Sequence, residues 1–593
     1  MKKPHRLTLI SAGAVLSLGL AACGSSAKTT STPSQGAGYG AATTTVVNSS
    51  AHKGGTLIYV NSQDWDSPDP GNTYYGWSWD FARLYSRTLV TYSAVPGTAG
   101  EKLVPDLATS LGQVSNSGLT WTYHLRQGVK LEDGETVTSQ MIKYAIERSS
   151  AYTPGAGKPA VLPLGPTYWS VFLKDPTYPS AYYDKTPGKM GLTGISTPDP
   201  STIVFNLTKP MAEFDYLATL AQTAPVPEAK DTGTSYLKHP LSSGPYMFQG
   251  NYTPGKGMTL VKNPNWDPST DPVRKQLVDK IVVTVSVPAT DEDNRLLSGQ
   301  ADLDISGRGV SPSDSARVLL NSKNKASADD VLDGFYIYTA LNTKVAPFNN
   351  IHCREAVLYA ADHAELQTAY GGSYGGDIST QALPPQVGGY IPGYDPYGFA
   401  AHPHGDLTAA KQQLALCGQP NGFSTTIATR NASDDPKENA GAVALQAELA
   451  KVGIHADLYQ YPAAQIGSVV GTPDFVHSHH LGLMMYGWGP DWPAGFGFLN
   501  AIVNGAAITP AGNSNLEELN DPAINSELNN VMAINSISGR SQVYSQIDRQ
   551  VMQDAVFLPI VNLKSLLYRN PRLSNVFYNA ALLMYDYSQI GLK

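Results

Sequence analysis

The sequence lacks a basic excess. Against 41 Lys+Arg stand 49 Asp+Glu, a net charge of −8, whereas a nucleic-acid binder would show a positive footprint. It also lacks, inside the chain, any uninterrupted apolar run of the roughly 18–20 residues that spans a bilayer. An integral channel or permease is therefore excluded. Catalytic signatures are missing as well. Residues 235–238 (SYLK) and 322–325 (SKNK) fit Ser-x-x-Lys, but no Lys-Thr-Gly or Ser-Asp-Asn accompanies them. Gly157-Lys158 has neither the correctly spaced first glycine of a phosphate-binding loop nor a following Ser or Thr, and His-Glu-x-x-His does not occur. No enzyme, catalytic residue, resident metal or cofactor is expected. Cysteine is scarce, with three in 593 residues, and no internal repeat is visible.

What is present describes an exported body. Hydrophobic residues make up 42% and charged residues 15% of the chain, enough for large cores. The length corresponds to about three or four ordinary domains. Lys2, Lys3 and Arg6 precede an apolar run over residues 7–20, the layout of a secretory signal. That run ends in Leu-Ala-Ala-Cys, with small residues before Cys23 as in a bacterial lipobox. We read residues 1–22 as a removed signal and Cys23 as the lipidated mature N-terminus. Residues 23–52, rich in Ser, Thr, Gly and Ala, read as a flexible tether. The expected location is the outer face of the cell membrane, with the membrane contacted through the lipid.

Beyond the tether the chain alternates strand and helix signals, which favours a mixed α/β (α+β) fold. Strands are predicted at 55–60 (GTLIYV), 119–125 (LTWTYHL), 201–207 (STIVFNL), 280–287 (KIVVTVSV) and 481–486. Helices are predicted from a Thr138 cap to Arg148, and over 351–365, 406–417 and 437–452.

Residues 121–149 (WTYHLRQGVKLEDGETVTSQMIKYAIERS) resemble the signature of the family 5 extracellular solute-binding proteins, the peptide- and nickel-binding class of ABC importers. Other fragments follow in the family's order: SPDP at 67–70, LVPDLATS at 103–110, IVFNLTKP at 203–210, SGPYMF at 243–248 and KNPNW at 262–266. Then come LLSGQADLDI at 296–305, LNTKVAPFNNIHCREAVLYAAD at 341–362, LQAELAKVGIHADL at 445–458, YGWGPDW at 486–492 and FLPI at 557–560. The resemblance spans about residues 54–570. It implies a bilobed, hinged, periplasmic-binding-protein-like fold with one lobe made of two subdomains. By matching positions, the first subdomain collects residues 53–92, 240–312 and 562–593. The second is 93–239, and the opposite lobe is 313–561. The function implied is capture of oligopeptides in the interlobe cleft by a monomer that delivers them to ABC permease subunits with their ATPases. An oligosaccharide or other polar solute, or a surface receptor that senses peptide without importing it, would fit the same features.

Peptide-binding relatives hold the ligand's α-ammonium with a carboxylate three residues after a tryptophan, and Trp488-Gly489-Pro490-Asp491 has that spacing. An ammonium carries three donors and no acceptor, so a desolvated cleft must offer it an anion. Trp488 and Trp492 would supply apolar walls. Here Trp492 is followed by Pro-Ala-Gly-Phe, where relatives continue with an acidic residue and proline, so the pocket floor is expected to differ. Asp491 could equally be a turn residue before Trp492-Pro493. In the loop 61–79, Tyr74, Tyr75, Trp77 and Trp79 would line subsites or pack as local core, while Asp64 and Asp66 read as solvated loop acids. His477, Ser478, His479 and His480 invite a metal reading. In an extended run, however, neighbouring side chains point to opposite faces, so a surface role is favoured and no metal is assigned. Once Cys23 is lipidated, Cys353 and Cys417 remain in an oxidising compartment, each on the apolar side of its helix and in the same expected lobe. A disulfide between them is expected.

Overall fold

The computed structural model describes residues 38–149, 161–185, 191–510 and 512–593. The signal segment, Cys23 and the start of the expected tether lie outside them. The rest of that tether is not loose. Gly40 donates to the carbonyl of Ala328, Ala42 N–H donates to Asp329 Oδ1 at 2.9 Å, and Val47 bridges Val576. Asn575 exchanges two bonds with Ser50. The Ser/Thr/Gly composition misleads because the contacts are made by the backbone, whose donors and acceptors every residue carries.

Three sheets organise the body. The first runs in the order Leu303–Asp304, Thr56–Val60, Lys280–Thr284, Gly257–Lys262, Tyr246–Phe248. Thr56–Val60 is parallel to both of its neighbours, and Leu57, Tyr59, Leu260 and Ile281 meet in its core. The predicted strand at 280–287 stops at Thr284, and Ser286 turns to φ 57°. The second sheet is antiparallel: Gln113–Ser115, Thr120–His124, Thr202–Asn206, Ile195–Asp199. Alternation puts Trp121, Tyr123, Ile203 and Phe205 on one buried face, where Ile142 and Ile146 of the helix Ser139–Arg148 join them.

The third sheet has six strands: Gly376–Ile378, Phe557–Tyr568, Ala328–Leu341, Leu483–Trp488, Ser424–Arg430, His455–Tyr461. Its two long members, Ala328–Leu341 and Phe557–Tyr568, are paired from Ala328↔Tyr568 to Ala340↔Phe557. At one end Val331 and Leu567 pack in the first sheet's core; at the other Leu341 and Leu558 pack in the third's. The register slips between Leu332 and Tyr336. There Gly334 has φ 89°, and a Cβ on it would lie 2.1 Å from Leu583, so only glycine fits this break. Two long strands shared by two cores, with a break between, make a hinge.

The helix expected over 351–365 is two, Ile351–Ala360 and His363–Ala369. Asp362 leaves the helical conformation and accepts from Glu365 N–H, capping the second. Asp406 caps Leu407–Leu416, and Asp435 caps Pro436–Ala450. Cys353 and Cys417 are bonded, with Cα atoms 5.2 Å apart and a separation of 64 positions in the sequence. Closing a loop of that size stabilises a fold by about 2–4 kcal/mol.

Candidate functional site

The strand Leu483–Trp488 ends beside the hinge, with Trp488 opposite Tyr336. The chain then turns through Gly489 and Pro490 to Asp491. Three regions meet at this carboxylate. Tyr74 OH, from the loop after Thr56–Val60, donates at 3.0 and 3.1 Å to its two oxygens. Tyr168, from the helix Tyr168–Phe172 beside the second sheet, donates to Oδ2. Burial pushes the Asp491 carboxyl up to about 6, and the bonds from Tyr168 and Tyr74 offset part of the rise. Among the described residues no Lys, Arg or His forms an ion pair with Asp491. Among the described residues the acid is thus surrounded by phenols and has no cation.

Asp66 shapes the loop that brings Tyr74. It accepts from Tyr74 N–H at 2.8 Å, Thr73 Oγ1 at 2.6 Å and Ser67 N–H at 2.8 Å. Asp64 accepts from Gly255 N–H at 2.7 Å and from Tyr252 OH at 2.5 Å. Neither is the solvated acid the sequence suggested, because Asp66 closes a turn of the loop and Asp64 ties the loop to the segment 252–255. Tyr74 and Tyr75 stay 46% and 45% exposed and can face a ligand, whereas Trp77 is 7% exposed, stacked on Tyr75 and edge-on to Trp65. Trp77 is local core.

Trp488 is half-buried, with Nε1 donating to Phe498 O at 3.0 Å. Trp492 is buried. Its Nε1 donates at 2.8 Å to Glu213 Oε2, and its ring meets Tyr168 edge-on at 5.0 Å. The site therefore gathers Asp491, Tyr74 and Tyr168, with Trp488 and Tyr75 within a few residues of them. Tyr168 and Glu213 are additions. No local pattern marks either one, because their partners lie more than 270 residues away in the chain.

The histidine run is not extended. His477 belongs to the helix Pro473–Ser478, and its Nε2 meets Glu518 Oε1 at 2.7 Å. His479 caps that helix and stacks on Phe475 at 3.8 Å. Proline at the first helical position fixes the helical start, which outweighs the strand signal of the apolar run that follows. Among the described residues no three His, Cys, Asp or Glu side chains are grouped to hold a metal ion, and no helix is long and apolar enough to cross a membrane.

The chain is similar to known proteins over most of its length. The model of the bacterial extracellular solute-binding proteins, family 5, matches residues 102–509. The chain is 25% identical to "Heme-binding protein A" of Haemophilus influenzae, covering 77% of this chain and 78% of that protein. It is 24% identical to "Probable D,D-dipeptide-binding periplasmic protein DdpA" of Escherichia coli, covering 89% and 92%. The solved structure of "Clavulanic acid biosynthesis oligopeptide binding protein 2" superposes with a TM-score of 0.89 at 38% identity, covering 94% of this chain and 99% of that one. The chain belongs to family 5 of the bacterial extracellular solute-binding proteins and has their bilobed, hinged fold.

Proposed function

We propose that the protein captures oligopeptides between its lobes, with Asp491 pairing to the peptide's free α-ammonium, and delivers them to a membrane permease driven by separate ATPases. The observation that carries this reading is the Asp491 carboxylate, held by Tyr74 and Tyr168 from two other regions and paired with no cation among the described residues. An ammonium would complete it, the phenols orienting the acid and the cation neutralising it. Tyr74, Tyr75 and Trp488 supply rings that accept varied side chains. Capture would use hinge bending about the two long strands, in a protein that acts as a monomer.

The raised carboxyl gives this reading a pH signature. The folded value of about 6 lies above the ordinary 3.8. The empty protein therefore binds a proton between these values that the unfolded chain does not, and this group's contribution to stability falls as pH rises through that window. Binding runs the other way, because the ammonium needs the ionised acid. Peptide affinity should be flat above about pH 7 and fall by up to about tenfold per pH unit below 6. Calorimetric titration at pH 7.5 and pH 5 measures this, and equal affinities would remove Asp491 from the role.

We place the body at the membrane's outer face through lipid on Cys23. Cys23→Ala should leave its fold and melting temperature unchanged and move it from the membrane fraction to the soluble one. Continued sedimentation with membranes would refute the anchor.

A further inference from the structure

Gly38, the first described residue, is 15 positions after Cys23 and is docked on the body. Its carbonyl accepts from Arg569 Nη2 at 2.8 Å, and Gly40 N–H donates to Ala328 O at 2.9 Å. Ala328 opens one of the two long strands, and Arg569 follows the other. Val47 pairs with Val576 a few residues on. A chain of fifteen residues reaches at most about 50 Å. Lipid on Cys23 therefore keeps this corner of the first sheet's region near the membrane.

Beside that entry point lies the segment 314–327, folded as the short helices Ser315–Leu319 and Ser322–Lys325. Its inner side chains are anchored. Val318 packs with Val60, Ala328 and Leu566 in one buried cluster, and Leu319 packs against it. Leu320, at the corner between the two helices, has no such place and is 87% exposed. The corner is fixed. Asn321 Oδ1 accepts from Lys323 and Asn324 N–H, and Asn324 Nδ2 donates to Arg317 O at 3.0 Å. The leucine is therefore held outward and not tucked under its own turn.

The charge around this corner is positive in a chain whose net charge is −8. Residues 314–327 hold Arg317, Lys323 and Lys325 against one acid, Asp314, which Arg317 engages at 2.9 Å. The two lysines are the surplus. Lys325 Nζ lies 5.1 Å over the ring of Tyr39, itself 38% exposed, which ties the corner to the entry point. The acids next to the entry point are engaged, Asp329 by Arg569 and Asp330 by Lys564. From Gly24 to Gln63 the sequence has Lys28 and Lys53 and no Asp or Glu. An outward leucine, a half-exposed tyrosine and surplus lysines suit a lipid–water boundary. There the ring sits at headgroup level, the leucine enters the acyl margin and the ammonium groups meet anionic headgroups.

We propose that Tyr39, Leu320, Lys323 and Lys325 form the face on which the body rests against the anchoring membrane, binding its anionic headgroups. The inference rests on lipid at Cys23 and adds to it the side of the body that meets the bilayer. One lysine near an anionic surface adds about fivefold in affinity. That is too little to hold an unanchored body, so Cys23→Ala still leaves the membrane, but it suffices for a body that a short tether keeps close. The test puts p-benzoylphenylalanine in place of Leu320 or, as control, of Leu416, which is 62% exposed on the helix Leu407–Leu416 packed on the third sheet's core. The protein is bound through Cys23 to vesicles of phosphatidylcholine containing phosphatidylglycerol. Its native lipid serves or, if mass spectrometry finds Cys23 bare, a maleimide phospholipid, so that failure of the anchor reading is seen separately. After illumination, lipid adducts at position 320 should exceed those at 416 by at least about tenfold. Lys323→Glu with Lys325→Glu should lower the yield at 320 by at least about fivefold, the worth of one lysine. Equal yields at 320 and 416 would overturn the proposal. So would a yield at 320 that is unchanged by the charge reversal or on vesicles of phosphatidylcholine alone. The comparison of 320 with 416 needs no charge variant and decides the matter by itself.

Discussion

Asp491→Asn will weaken binding of peptides with a free amino terminus by about 2–5 kcal/mol, the cost of leaving one partner of a buried charge pair alone. Asparagine keeps the shape and one acceptor oxygen, and its amide can donate to the Tyr74 or Tyr168 hydroxyls that now donate to the acid. The loss is therefore one of charge and not of packing. Stability should move in the opposite direction. Burial disfavours the ionised acid in the empty protein, so the neutral amide should leave the melting temperature at pH 7.5 equal or higher. That opposition separates a binding role from simple damage, which would lower both quantities. Peptides acetylated at the amino terminus should bind wild type poorly and gain little from Asp491 in either form. Unchanged affinity in Asp491→Asn, or equal binding of acetylated and free peptides by wild type, would end the assignment.

The parts of this site that the sequence reveals are those with local causes. Asp491 is marked by its spacing from Trp488, and the Asp406 and Asp435 caps by an acid before an apolar helix. The strand Thr120–His124 is marked by Trp121 and Tyr123 alternating with smaller polar residues. Where expectation and structure part, a longer-range or competing cause is at work. The run 351–365 keeps a helical pattern throughout, yet Asp362 gains more by capping His363–Ala369 than by sitting inside one helix. Trp77 could be read as a pocket wall or as local core, because its loop is rich in aromatics. Trp65, twelve residues earlier, meets it at 4.5 Å and makes it core.

Glu213→Ala should cost about 3–5 kcal/mol in ligand affinity, the penalty for stranding a buried charge, although none of the hydrogen bonds of Glu213 reaches Asp491 itself. The residue is 1% exposed, between the second sheet and the short helix Phe214–Leu217. Its three close partners all come from the region built on the third sheet. Tyr544 OH donates at 2.6 Å and Arg540 Nε at 3.3 Å to Oε1, while Trp492 Nε1 donates at 2.8 Å to Oε2. Burial alone would raise this carboxyl, and the donors from Tyr544, Trp492 and Arg540 work against that rise. Trp492 is next to Asp491, so the contact both joins two regions across the hinge and fixes the residue beside the ammonium site. Without Glu213, bringing these surfaces together buries Arg540 with only the carbonyls of Ile534 and Asn535 to accept from it and leaves Trp492 and Tyr544 unsatisfied. In an opened form these groups would be exposed to water and bear no such cost, so the penalty would fall on the closed, ligand-holding form. Small-angle scattering with saturating peptide should show Glu213→Ala more extended than wild type. Removing the stranded charge as well, in Glu213→Ala with Arg540→Met, should recover part of the affinity, because an apolar pair replaces a broken ionic one. If Glu213→Ala binds peptide as wild type does, the contact is a bystander to closure and the two regions are held together by their other contacts, the Tyr168–Asp491 bond among them.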